Sequence, residues 1–342
     1  MDFKFQRLEL DDDKGLIRFA LVPDPRRYDW IEENGERALF DRFDAVIIPE
    51  RVIAQLAEQA TNMPMFFAPP RIDSARAYVG SRRPAIARQL AGEMGSGAEP
   101  IDPSAQLLSE LAGFKLDFAI VSLDLVGSTR LATTLCSDDY TRLVQTMLDE
   151  LSAVAPLFRG HVLKYTGDGL IVFIPGPSAN AQNDLAIDCA LTMRRLVYEA
   201  LNPEFVAAGL PPVDIRVGVD AGEAAVLVLG SSTTKRHADI IGDVVSLACK
   251  VEAAGVAGAV QVGGIAARSM HLYWRELLEA APAPANWAYT DEDGRPYPIY
   301  RVRSEQSRAG DRSKASISGR CDKFAAIRMS GLGFVSRASD AR

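Results

Sequence analysis

The sequence lacks paired cysteines, an excess of basic charge and long apolar runs. Its four cysteines, Cys136, Cys189, Cys249 and Cys321, are scattered and form no C-x-x-C pair, so neither a zinc site nor a disulfide framework is predicted. No apolar run approaches the ~20 residues that a membrane-spanning helix needs. The first residues also lack the charged-then-apolar pattern of a signal peptide. We therefore expect a cytoplasmic protein without a membrane partner.

The balance of charge and apolar residues indicates an ordinary globular protein. Of its 342 residues, 48% are hydrophobic and 24% are charged, which suffices for a sizeable core and more than one domain. The formal net charge of −7 disfavours nucleic acid as a partner, because proteins that bind nucleic acid present a basic face.

One apolar run ends at a carboxylate. Residues 118–129 indicate a buried strand that breaks at Asp124 into Gly127, Ser128 and Thr129. This pattern places a carboxylate at a strand end, beside the backbone N–H groups of a loop that leads into a helix. Such N–H groups can hold the β- and γ-phosphates of a nucleotide.

A second aspartate lies in a hairpin pattern. Asp168 stands between Gly167 and Gly169, and two β-rich runs flank this turn, which is a strong hairpin signal. Taken alone, Asp124 is explained as a helix cap and Asp168 as a turn residue. If the first strand pairs beside the hairpin, however, the two carboxylates meet at one sheet edge. Mg²⁺ takes one or two carboxylates plus substrate phosphates, so the pair predicts a metal-bound triphosphate.

With a third block, from Asp239 to Gly255, these segments resemble the class III nucleotidyl cyclases, the family of adenylate and guanylate cyclases. The resemblance covers about residues 114–303. It implies that Asp124, Asp168 and the main-chain carbonyl of Leu125 bind two divalent cations, Mg²⁺ or Mn²⁺. It also implies that Arg216 contacts the triphosphate together with the Gly127, Ser128 and Thr129 loop.

The third block departs from the family pattern at two positions. Ser246 replaces the asparagine that orients the ribose, and Lys250 replaces the arginine that stabilises the transition state at phosphorus. Lysine is a point charge without the planar fork of a guanidinium. Because a hydroxyl and a cation are retained, we expect catalysis to be weakened or altered rather than lost. The alternative is a degenerate cyclase that binds nucleotide without turnover.

The resemblance predicts the conversion of a nucleoside triphosphate to a 3′,5′-cyclic nucleotide and pyrophosphate. In the family, the positions of Lys164 and Asp239 contact the base. A donor paired with an acceptor suits adenine, which favours conversion of ATP to cyclic AMP. Cytosine has the same acceptor-plus-amino edge, and uracil also offers an acceptor and a donor. A uridylate or cytidylate cyclase of an antiphage (Pycsar-type) system is therefore an open alternative.

The element order predicts an α+β fold, a ferredoxin-like βαββαβ sheet with helices on one side. Strands are expected at 215–219 and 224–229, among others. We predict an N-terminal α/β segment of unknown role at 1–91, with strands at 3–10 and 16–22 and a helix at 48–60. A linker at 92–113, the catalytic domain at 114–304 and a disordered tail at 305–342 follow.

The family resemblance also implies a dimer. Class III sites take metal aspartates from one subunit and base-reading and transition-state residues from the other. Since one chain carries both sets, a homodimer with two equivalent sites is expected. A cyclic-nucleotide-binding effector is a further possible partner. The competing class of function is a nucleotide-sensing module that regulates a partner through the N-terminal segment.

Overall fold

The computed structural model describes most of the chain. It covers residues 3–11, 16–23, 25, 27–42, 44–53, 70–93, 103–176, 179–231 and 236–303. The predicted disordered tail, 305–342, lies outside these residues. None of the helices in this described portion combines the length and apolar character needed to cross a membrane.

Two small antiparallel sheets form the N-terminal part. The first pairs β1 with β2, and the second has the order β3-β4-β5. The two strands predicted at 3–10 and 16–22 are confirmed. Residues 48 and 49 belong to a strand rather than to the predicted helix, helical residues begin at 50, and 54–60 lie outside the described residues. The bounds are β1 Phe3–Asp11, β2 Leu16–Pro23, β3 Tyr28–Glu33, β4 Glu36–Asp41 and β5 Val46–Pro49.

Helix α1 (Ala75–Leu90) joins the N-terminal part to the main core. Its buried side chains pack into the same hydrophobic cluster as the central sheet. Arg82 donates from Nε and Nη2 to the carboxylate of buried Glu150, at 2.8 and 2.6 Å. Burial of one apolar stripe and a two-point ion pair together fix this helix against the central domain.

An eight-stranded sheet dominates the rest of the chain. Its order is β12-β13-β11-β9-β6-β8-β7, with β10 paired to β9. Within it, β9-β6-β8-β7 are antiparallel neighbours. Interleaved with helices along the chain, these four strands make the predicted ferredoxin-like βαββαβ unit. The bounds are β6 Lys115–Leu125, β7 His161–Tyr165, β8 Leu170–Pro175, β9 Ile215–Leu229, β10 His237–Ile241, β11 Val260–Gly263, β12 Leu278–Ala281 and β13 Ile299–Val302.

The helices of this region begin inside the predicted linker. Helix α2 occupies 103–110 of the segment 92–113. A π-helical turn, Val197–Leu201, and a 3₁₀ turn, Ala155–Phe158, extend two of the helices. The bounds are α2 Pro103–Glu110, α3 Ser128–Thr134, α4 Ser137–Ser152, α5 Ala179–Leu196, α6 Asn202–Ala207, α7 Asp243–Ala253, α8 Gly264–Ser269 and α9 Leu272–Arg275.

Helices cover both faces of the sheet, so the prediction of helices on one side was wrong. On one face, Val121 and Leu123 of β6 pack in the cluster that contains α4 and α5. On the other, Phe118 and Ile120 pack in a cluster with α2 and α7. Successive side chains of a strand point to opposite faces. The nearly continuous apolar run of β6 was the signal for cover on both sides.

Strand β9 is continuous, whereas the sequence predicted two strands at 215–219 and 224–229. It pairs with β6 without interruption from Ile215 opposite Leu125 to Ala225 opposite Lys115. Glycines in the middle of the strand favoured a break, but Gly218 has a packing reason instead. A Cβ there would lie 2.4 Å from the carbonyl oxygen of Ala248. The missing side chain therefore lets helix α7 lie directly on the strand.

Asp220 of β9 is a buried carboxylate that holds the last part of the domain to the sheet. It has no exposed surface and accepts hydrogen bonds from the hydroxyl of Tyr297 at 2.8 Å and from the N–H of Ala221 at 2.9 Å. Burial raises its pKa to about 6, and these hydrogen bonds oppose the rise. The folded state therefore binds a proton more tightly than the unfolded chain does.

We expect Asp220→Asn to alter the pH dependence of stability. The pKa of Asp220 in the folded state lies above the ordinary 3.8. The free energy of unfolding of the wild type therefore falls as pH rises from about 4 to 6. Asparagine can keep the hydrogen bonds without titrating. The unfolding free energy of the variant relative to wild type should increase by about 2 kcal/mol between pH 4 and pH 7. Urea unfolding across this range measures it, and parallel profiles would contradict the assignment.

Candidate active site

Asp124 and Asp168 meet at one edge of the sheet. Asp124 lies near the end of β6, and Asp168 lies in the turn between β7 and β8, which pairs with β6. Gly169 makes the close approach possible, because a Cβ there would lie 2.4 Å from the carbonyl oxygen of Leu123 and 3.2 Å from Oδ1 of Asp124. Two strand ends and one glycine therefore bring the two carboxylates together.

Arg216 lies directly opposite Asp124 on the neighbouring strand β9. Its Nη2 donates to Oδ2 of Asp124 at 2.9 Å. Its Nε lies 3.0 Å from Oε1 of Glu252, a buried residue of α7, although these two atoms are not aligned for a hydrogen bond. One guanidinium thus bridges two carboxylates from different elements.

The carboxylates outnumber the cations at this edge. Burial, together with the charges of Asp124 and Asp168, raises the pKa of Glu252 to about 7, although Arg216 acts in the opposite direction. Burial and the charge of Asp168 likewise raise the pKa of Tyr140, at the start of α4. The edge therefore has an excess of negative charge that attracts cations.

Divalent cations fit these residues. Oδ2 of Asp168 is buried and has no hydrogen-bond partner in the described part of the protein, and a buried carboxylate oxygen is costly without one. Within the same residues, no group of three or more His, Cys, Asp or Glu side chains could hold a metal. Two carboxylates with phosphate oxygens supply the hard ligands that Mg²⁺ prefers.

The loop after Asp124 is shaped by glycine. Gly127 has φ of 71°, in the left-handed region that favours glycine. Ser128 and Thr129 begin helix α3, whose N-terminus has no side-chain cap and no acidic residue in its first turn. Leu125, the last residue of β6, is buried. All four predicted residues thus lie in a run that directly follows Asp124.

Lys164 and Asp239 form an ion pair. Nζ of Lys164 lies 2.6 Å from Oδ2 of Asp239. The register of the β7–β8 pair shifts between Val162 and Lys164, and such an irregularity re-aims the side chains that follow it. The aspartate is buried and the lysine about two fifths exposed. The two predicted base-reading residues are therefore neighbours within one chain.

Ser246 and Lys250 lie on the exposed side of α7. They are four residues apart, so they share one helix face, and both are exposed. Val244 and Ala248 of the same helix are buried against the sheet. Among the described residues, neither Ser246 nor Lys250 has a hydrogen bond or an ion pair to Asp124 or Asp168. The predicted catalytic pair and the predicted metal pair thus do not meet in one chain.

Comparison with known proteins identifies the region that contains these residues. Residues 115–278 match the family model described as the adenylate and guanylate cyclase catalytic domain. This segment is a class III nucleotidyl cyclase domain. Asp124, Asp168, Arg216, Lys164, Asp239, Ser246 and Lys250 all lie within it.

Two curated relatives are similar to the cyclase domain over part of their length. The predicted adenylate cyclase 3 of Rhizobium meliloti (strain 1021) is 29% identical over 146 residues, which are 42% of this chain and 22% of that protein. The cytidylate cyclase of Escherichia coli is 25% identical over 116 residues, which are 32% of this chain and 25% of that protein. The chain thus spans a quarter or less of either relative.

Solved cyclase structures are also similar. The adenylyl cyclase CyaB from P. aeruginosa is 25% identical with a TM-score of 0.48, covering 56% of this chain and 95% of that one. The guanylyl cyclase Cya2 is 20% identical with a TM-score of 0.49, covering 56% and 93%.

The sequence did not reveal two residues of the cyclase domain that lie near Asp124 and Asp168. Glu252 lies in the third sequence block, but its contact with Arg216 depends on how α7 packs on β9. Tyr140 has no local signal, since only the fold brings the start of α4 near Asp168. For Glu252, an acidic residue on the buried face of an amphipathic helix was the available signal.

Proposed function

We propose that this chain is a nucleotidyl cyclase that converts ATP to 3′,5′-cyclic AMP and pyrophosphate. The strongest support is the meeting of Asp124 and Asp168 at one sheet edge, with a buried oxygen of Asp168 left without a partner. Asp124, Asp168 and the Leu125 carbonyl would hold two divalent cations, which would supply positive charge to acidify the ribose 3′-hydroxyl and to stabilise the triphosphate. The 3′-hydroxyl loses its proton to solvent and attacks the α-phosphate in line, so that the bond from phosphorus to O3′ forms as the bond to the leaving pyrophosphate breaks.

The other predicted residues position the substrate and stabilise charge. The backbone N–H groups of Gly127, Ser128 and Thr129 face the terminal phosphates, as the start of a helix does in many phosphate sites. Ser246 orients the ribose through its hydroxyl. The ammonium of Lys250 neutralises charge that develops on the α-phosphoryl oxygens.

Both sets of residues come together in a homodimer. Ser246 and Lys250 are exposed on α7 and, within the described part of the chain, make no hydrogen bond or ion pair to Asp124 or Asp168. A two-fold dimer places each α7 at the sheet edge that carries Asp124 and Asp168 of the other subunit, and it creates two equivalent sites.

Lys164 and Asp239 support the choice of adenine. The lysine donates to N1 and the aspartate accepts from the N6 amino group, once the base separates their 2.6 Å ion pair. A second candidate is a cytidylate cyclase, because cytosine offers the same acceptor-plus-amino edge and the E. coli relative carries that name.

A competition assay tests the proposal. Purified protein receives ATP, GTP, CTP and UTP at equal concentration, with Mg²⁺ and then Mn²⁺, and the cyclic products are separated by mass. Dominant cyclic AMP supports the adenylate assignment. Dominant cyclic CMP or cyclic UMP replaces the substrate but keeps the reaction, whereas no cyclic product from any triphosphate refutes a cyclase.

We expect the double variant Lys164→Glu, Asp239→Cys to shift preference from ATP towards GTP. The exchange replaces a donor by an acceptor, so adenine leaves groups in the site unpaired. The ratio of kcat/KM for ATP to that for GTP should fall by about a hundredfold. Steady-state kinetics with each triphosphate measures the ratio. An unchanged ratio in a folded variant would show that these residues do not read the base.

A further inference from the structure

Glu252 is a buried carboxyl group that the proposed reaction does not use. It lies on α7, two residues after Lys250, but its side chain points inward and is 8% exposed. Helix α7 reaches the sheet closely at this point, because a Cβ at Gly218 would lie 2.4 Å from the backbone nitrogen of Glu252. Isolated buried carboxylates are costly, and the cation that faces this one is Arg216.

Arg216 uses different nitrogen atoms for its two carboxylates. Nη2 donates to Asp124 at 2.9 Å, while Nε lies 3.0 Å from Glu252. A guanidinium has five N–H donors in a fixed plane, so one end can be released while the other is held. The Nε contact is not aligned for a hydrogen bond here, so a hydrogen bond to Glu252 requires the guanidinium to turn.

Cations at Asp124 would compete with Arg216. A cation held at Asp124 would repel the guanidinium and weaken its hydrogen bond to Oδ2. Arg216 would then lose one of the two carboxylates that hold it. Glu252, on a different element, keeps its position when Asp124 changes partner.

We propose that Glu252 is a positioning residue that anchors Arg216 when a metal–triphosphate complex displaces it from Asp124. This inference rests on the proposed function, since it assigns a role within the same site. Nε stays with Glu252, and the freed end of the guanidinium turns to the triphosphate oxygens. The anchor therefore determines how well the triphosphate binds, and it does not touch the reacting atoms.

We expect Glu252→Gln to raise KM for the triphosphate about tenfold, because Arg216 then loses the charged partner of its Nε. kcat should change less than threefold. A second readout is independent of turnover and of the base: calorimetric titration of the Mn²⁺-loaded protein with inorganic tripolyphosphate. The dissociation constant should rise about tenfold in the variant.

Glu150→Gln is the matched control. Glu150 is also buried and is paired with an arginine, Arg82, but it lies on α4 against helix α1. This variant should lose thermal stability as Glu252→Gln does, while its KM and tripolyphosphate affinity stay as in wild type. A double-mutant cycle with Arg216→Ala adds a further test, because Glu252→Gln should have no additional effect in that background.

The anchor role of Glu252 would be overturned if KM and the tripolyphosphate dissociation constant changed equally in Glu252→Gln and Glu150→Gln. It would also be overturned if Glu252→Gln kept its full effect in the Arg216→Ala background. A wild type that does not bind tripolyphosphate would overturn it as well. If Glu252→Gln does not fold, Glu252→Asp withdraws the carboxylate by one methylene and should still raise KM, and an unchanged KM would overturn the anchor. If the wild type binds tripolyphosphate but cyclises no nucleotide, the proposed function is refuted. The titration alone then decides whether Glu252 anchors Arg216.

Discussion

Asp168→Asn should reduce kcat for cyclic nucleotide formation by at least about a thousandfold. The side chain keeps its shape, but the carboxylate with the buried, partnerless oxygen becomes a neutral amide, which is a much weaker ligand for a cation. Removing metal ligation costs several kcal/mol of transition-state stabilisation, and each 1.36 kcal/mol is a factor of ten in rate. Quantifying cyclic nucleotide by mass spectrometry under saturating triphosphate and Mn²⁺ measures the loss.

Asp117→Asn is the control for this experiment. Asp117 lies on the same strand as Asp124, but it is exposed and lies towards the opposite end of β6. We expect this variant to retain wild-type activity. Circular dichroism and unfolding temperature should show that Asp168→Asn remains folded. If Asp168→Asn keeps more than a tenth of the activity, the two-metal assignment is wrong.

Local sequence signals were sufficient to predict the centre of the fold. The β6 strand and the β7–β8 hairpin depend on short-range patterns, namely an apolar run and a glycine-flanked turn. The pairing of β6 beside the hairpin was a condition of the prediction, and the sheet has this pairing. Because Asp124 and Asp168 are fixed by the ends of these elements, their convergence could be predicted from sequence.

Long-range packing could not be predicted in the same way. The residues around Glu252 in the sequence do not indicate that it lies against Arg216. This contact depends on the register of β9 and on the close packing of α7 against Gly218. The helix α2 also went unrecognised. Its surroundings, rich in Gly, Ser and Pro, indicated a linker, whereas Leu108 is buried in the cluster with Phe118 and Ile120, so tertiary packing overrode the local composition.

The division of the site between two groups of residues has a consequence for assembly. Asp124 and Asp168 lie at one sheet edge, while Ser246 and Lys250 are exposed on the outer face of α7. If one chain completed its own site, inactivating either group would produce the same defect in any mixture. If the sites are shared between subunits, the two defects can compensate each other.

Mixing Asp124→Ala with Lys250→Ala subunits should therefore restore activity that neither variant has alone. Random exchange at equal amounts makes half of the dimers mixed, and each mixed dimer has one intact site of two, so about a quarter of wild-type activity is expected. Cyclic nucleotide production after co-expression, with differently tagged subunits to verify exchange, measures the recovery. Mixing Asp124→Ala with Asp168→Ala is the control and should stay inactive, because both defects lie in the same half of the site. Verified exchange without recovery would refute either the shared site or the role of Lys250.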